Sequence, residues 1–117
     1  MSVEELAKLI HARAYSLPVP AERAINRFHA ADTMSDLIAH ATPETLLVTS
    51  LNNAQLIRVA ELMDVPGICL VSGAAPIPEL LFRAKAAGTA ILSTPRSLSE
   101  TVQLLDAAFG GHRRGTP

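Results

Sequence analysis

The strongest constraint on this chain is a short phrase that returns every 22 residues. "TLLVTS" begins at residue 45, "GICLVS" at 67 and "TAILST" at 89. Each opens on a small residue, continues in apolar ones and closes on Ser or Thr. Runs this short and this apolar suit strands buried on both faces. An amphipathic stretch follows each one. Leu56, Val59, Ala60 and Met63 make one stripe, Leu80, Leu81, Ala84 and Ala87 a second, and Leu98, Val102, Leu105 and Phe109 a third. Their spacings of three and four are the helix period. The punctuation agrees. Ser97 and Glu100 match a capping box, Pro78 suits a first helical turn, and Gly88 and Gly110 suit helix C-termini. Asn52 or Asn53 is placed to cap the helix after the first phrase. Residues 45 to 110 therefore predict three β–α units with parallel strands.

The first half is less regular. "SVEELAKLIHARA" predicts a helix, with Ser2 and Glu5 as a capping box and Leu6, Leu9, Ile10 and Ala14 as its stripe. Pro18 and Pro20 are expected to end it. "AINRFHAA" is a candidate strand. "TMSDLIAHA" predicts a short helix starting near Thr33 or Ser35, and Thr42-Pro43-Glu44 turns the chain into the strand at 45. The expected fold is α/β: an open, mainly parallel sheet of about four strands, built from repeated β–α units with helices packed on it. Residues 1–110 form one domain, and 111–117 are expected to be a flexible tail.

Composition fits that picture and narrows function. The chain is 117 residues long and 49% hydrophobic but only 3% aromatic, so the core must be aliphatic. The net charge is −1, with no basic patch for nucleic acid outside the stretch Gly110 to Gly115. No apolar run approaches the ~20 residues of a membrane span, and no signal-like segment opens the chain. A cytoplasmic protein is expected. The one cysteine, Cys69, cannot form an internal disulfide and is read as a small buried hydrophobe.

Ligands of open parallel sheets bind beyond the carboxyl ends of the strands. Those ends carry Thr49 and Ser50, then Ser72 and Gly73, then Thr94, with Asn52, Asn53, Arg96 and Ser97 just after. These nine residues are candidates for a small anionic or nucleotide-like ligand, supported by the helix N-termini that follow each strand. The competing reading is that their side chains satisfy loop and helix-start backbone groups. A secondary candidate is Asp32, Ser35 and Asp36, flanked by His29 and His40. Their spacing matches no familiar metal motif, and the simpler reading is that Asp32, Thr33 and Ser35 cap a helix with His40 at its favourable C-terminal end. The chain has no G-x-x-x-x-G-K-[ST] loop, no G-x-G-x-x-G and no G-x-S-x-G elbow. No catalytic residue, metal or cofactor is expected.

The order of elements carries a resemblance. "LLVTS" before a helix, "GICLVSG" before Pro-x-Pro-Glu-Leu, and "ILSTP" before a capping box are together similar to the DRTGG domain family, over about residues 25 to 105. The resemblance implies a fold related to the N-terminal domain of HPr kinase/phosphorylase. It also implies a regulatory or connecting module rather than a catalyst. The family's Asp-Arg pair falls at Asn52-Asn53 here, and its Thr-Gly-Gly at Ser72-Gly73-Ala74. Asn supplies no guanidinium fork, so a phosphate contact made by that arginine is lost.

The function expected is a non-catalytic regulatory or binding module, assembled as a homodimer and sensing a small anionic or nucleotide-like ligand at the strand ends. The first helix, with Leu6, Leu9 and Ile10, is the expected self-association surface. A protein partner is compatible with this reading; nucleic acid and membrane are not expected. The alternative is a small enzyme using the Asp/His set at residues 29–40.

Overall fold

The computed structural model describes residues 1–18 and 23–109. Ten elements alternate along it: α1 (Val3–Leu9), β1 (Arg13–Ser16), β2 (Arg27–Ala30), α2 (Met34–His40), β3 (Thr45–Thr49), α3 (Gln55–Met63), β4 (Gly67–Leu70), α4 (Pro78–Ala87), β5 (Ala90–Ser93) and α5 (Leu98–Ala108). The strands form one sheet in the order β1-β5-β4-β3-β2. The pairings β2–β3, β3–β4 and β4–β5 are parallel. β1 pairs with β5 antiparallel.

Burial explains the repeated apolar phrases. Every residue of β3, β4 and β5 is buried. Alternate side chains go to opposite faces, as a pleated strand requires. Leu47, Ile68, Leu70 and Ile91 pack under α2, α3 and α4, with Leu37, Leu56, Val59, Leu80 and Ala84. Leu46, Val48, Cys69, Ala90 and Leu92 pack under α1 and α5, with Leu6, Ile10 and Leu105. Each buried Leu, Ile or Val contributes about 1.5–3 kcal/mol, so a sheet with two apolar faces must be covered on both. Cys69 belongs to this filling, and burial pushes its thiol up to about 12. The small residue opening β4 has a packing reason. A Cβ on Gly67 would lie 3.0 Å from the Cβ of Ala90 on the neighbouring strand.

The helix signals act as expected. Ser2 with Glu5 and Ser97 with Glu100 form complete capping boxes. Both carboxyls are held below the usual carboxylate range, chiefly by the backbone N–H of the serine they reach back to. Thr33 caps α2, Pro78 opens α4, and Gly88 ends it with a φ of 72°. Pro20, the Gly110 stop and the 111–117 tail lie outside the described residues.

The sheet departs from expectation in its fifth, antiparallel strand. The first helix stops at Leu9, because His11 takes a left-handed φ of 57° and the Ala12 N–H donates to the Ala7 carbonyl. The chain then reverses, and Arg13, Ala14 and Ser16 join the edge of β5. Ala14 is thus a strand residue and not part of the helical stripe. Pro18 follows this strand rather than ending the helix. Leu6 and Ile10 are fully buried in the core and Leu9 packs against it. That overturns the expectation that they form a self-association surface: the sheet already covers the face.

Candidate functional site

The carboxyl ends of β2 to β5 are joined by a belt of hydrogen bonds from one loop to the next. Asp32, after β2, accepts from the backbone N–H of Ser50 at 3.2 Å and from its hydroxyl at 2.6 Å. Asn52, after β3, donates through Nδ2 to the Ala75 carbonyl at 2.7 Å and accepts the Ile77 N–H at 3.0 Å. The loop after β4 turns through Ser72 and Gly73, both left-handed at φ 59° and 73°. The Ala74 N–H donates to the Val71 carbonyl across that turn. Two positive φ values in succession define a type I′ turn, which favours glycine at one of them. The turn leans on the next loop: the Ser72 N–H reaches the Arg96 carbonyl and the Gly73 N–H the Thr94 carbonyl. The Ser93 hydroxyl donates back to the Ala74 carbonyl.

Most of the sequence-predicted ligand residues are consumed by internal hydrogen bonds, in this belt or beside it. Thr49 and Thr94 are fully buried. The Thr49 hydroxyl accepts the Leu51 N–H, and that of Thr94 donates to the Ile10 carbonyl at 2.6 Å. Leaving a buried hydroxyl unpaired costs about 1–3 kcal/mol, so internal pairing wins and neither faces a ligand. Ser97 caps α5. Asn53 accepts the Gln55 N–H at 3.0 Å while Ala54 holds the cap position of α3 without a side-chain bond. Asn53 therefore closes a turn just ahead of α3 and Asn52 is a loop tie, so neither holds the cap position expected of them. Ser72 and Gly73 are exposed, and Arg96 is half-buried. Ser35 lies exposed in the first turn of α2.

A groove opens beside the belt, between the starts of α3 and α4. It has a volume of about 570 Å³ and is lined by Asn53, Ala54, Gln55, Arg58, Ile77, Glu79 and Arg83. Both helix N-termini lie at this end of the sheet, where their dipoles favour negative charge. Helix α3 has no acidic residue in its first turn to neutralise that field. Among the described residues Arg58 makes no ion pair, and Arg83 pairs with Glu79 at 3.3 Å, one helical turn away. That exposed pair is worth only about 0–1 kcal/mol. Of the strand-end set, only Asn53 lines this groove. Sequence reasoning missed Gln55, Arg58 and Arg83, which sit on the polar faces of their helices and carry no motif.

Within the secondary candidate set the structure splits the acids. Asp32 turns to Ser50, whereas Asp36 meets both His29 and His40 at 3.1 Å.

No protein-family model matches the chain, and no curated protein matches it in sequence. Among solved structures it is similar to the CBS and DRTGG domains of the regulatory region of Clostridium perfringens pyrophosphatase, a structure complexed with the activator diadenosine tetraphosphate. The TM-score is 0.71 at 14% sequence identity, over 89% of this chain and 45% of that one. At this identity the likeness shows the fold alone, and this chain spans less than half of the neighbour's length.

The belt makes a stability prediction. Asn52→Ala removes one donor and one acceptor that tie two loops together, and lowers unfolding free energy by about 1–3 kcal/mol. Urea denaturation measures this. An unchanged midpoint would show that Asn52 is not a structural tie.

Proposed function

We propose that this chain is a regulatory or binding module of the DRTGG type, which takes a phosphate-bearing, nucleotide-like ligand in the groove between α3 and α4. The observation that carries the reading is the pair Arg58 and Arg83 in that groove, which opens where α3 and α4 begin. The groove falls within the ~300–1,000 Å³ range of small-molecule sites. Similarity in fold to a regulatory region that binds a dinucleotide activator supports the class of ligand. The loop belt gives such a module a route for response, because the loops flanking the groove are bonded to their neighbours. No residue is assigned a catalytic role.

Ligand at ten times its dissociation constant stabilises the native state by about 1.4 kcal/mol, or roughly 3–8 °C in melting temperature for a domain of this size. Adenine nucleotides, diadenosine polyphosphates and acyl phosphates at millimolar concentration are the probes. A rise in the melting temperature of the wild type, abolished in the Arg58→Ala/Arg83→Ala variant, is the expected result. No rise with any of them, or an equal rise in the variant, would refute the site.

The proposal includes self-association as a homodimer. Among the described residues the most open large apolar side chains are Leu62 on α3 and Phe82 on α4, 80% and 76% exposed. A second copy covering them would remove that area from water. Sedimentation at micromolar concentration is expected to show a dimer that Leu62→Glu with Phe82→Glu dissociates. A wild-type monomer would remove the dimer from the proposal.

A further inference from the structure

His29, Asp36 and His40 make a cluster that the phosphate groove does not use. His29 stands on the edge strand β2, beside Leu47 of β3. Asp36 and His40 are four residues apart in α2 and so share one helical face. A single oxygen, Asp36 Oδ1, lies 3.1 Å from His29 Nε2 and 3.1 Å from His40 Nδ1. The two imidazoles stack with centroids 3.9 Å apart and planes 16° from parallel. One donor atom from each residue fits within 4.8 Å of the others.

This spacing has a chemical meaning. Ligand atoms at the ~2.0–2.1 Å bond lengths of zinc stand roughly 3.3 Å apart along a tetrahedral edge. The two contacts at 3.1 Å are already close to that edge; to admit an ion the rings must swing out of their stack and His40 Nδ1 must leave the Asp36 carbonyl, 3.1 Å away. Nitrogen and carboxylate donors without a thiolate suit zinc and its borderline divalent neighbours better than magnesium or calcium. His29 is a quarter exposed and Asp36 and His40 about half, so an ion can reach the site from solvent. We propose that His29, Asp36 and His40 form a three-ligand site for a divalent transition-metal ion of the zinc type, with its fourth position open. The ion would clamp the edge strand β2 to the C-terminal end of α2.

Zinc titration of the full chain by isothermal calorimetry tests this, with circular dichroism to verify folding of each variant. The wild type is expected to bind one equivalent that His29→Ala or His40→Ala weakens by about tenfold or more, since even loss of an outer partner costs 10–100-fold. His11→Ala and His112→Ala should leave that affinity unchanged. Long-range ¹H–¹⁵N spectra of the wild-type imidazoles give a readout free of variants. Zinc should shift the ring signals of His29 and His40 and leave those of His11. Absence of binding, affinity unchanged in His29→Ala/His40→Ala, or shifts confined to His11 and His112 would each overturn the assignment.

Discussion

Burial of the central sheet on both faces is the constraint on which the rest depends. β3, β4 and β5 have no solvent side. Their odd and even residues feed two separate apolar layers, one under α2, α3 and α4 and one under α1 and α5. Chemistry is left to the strand ends, the edge strand and the outer faces of the helices. Placing α2, α3 and α4 on one face sets the starts of α3 and α4 side by side, and that creates the groove. The same layer sets α2 against β2, and that creates the histidine–aspartate cluster. Both sites are by-products of how the core is covered.

The strand-end hydroxyls show how local energetics decide between structure and binding. A polar group at a buried strand end must be paired or it costs stability. Thr49, Ser93 and Thr94 are therefore turned inward, and Asn52 is spent on the following loop. The side chains proposed to meet a ligand, Arg58 and Arg83, lie further along their helices on exposed faces, where solvation costs little. The belt fixes the loops that bring the two helix starts together.

Much of the fold was legible from periodicity. The 22-residue recurrence gave β3 to α5, since strands buried on both faces and amphipathic helices each leave a pattern in sequence. Caps at Ser2, Thr33 and Ser97, Pro78 at a helix start and Gly88 at a helix end were legible because their chemistry is local. β1 was not. Arg13–Ser16 follows a strongly patterned helix without a break residue, and its antiparallel pairing depends on a left-handed His11 that sequence does not announce. The site was less legible than the fold. Asn52 reaches residues 23 and 25 positions away, and the polar faces holding Arg58 and Arg83 have no signature of their own. The cluster around Asp36 was half visible: its residues stand close in sequence, but only the strand–helix packing shows that Asp32 turns away to Ser50.

The central claim is where a ligand meets this sheet. Titrating the ¹⁵N-labelled chain with an adenine nucleotide, and following backbone amide shifts, tests it most directly. The account predicts shifts concentrated at residues 53–58 and 77–83, with the buried ends at Thr49 and Thr94 little changed. Shifts centred on Ser72, Gly73 and Arg96 instead, or none at saturating nucleotide, would contradict it.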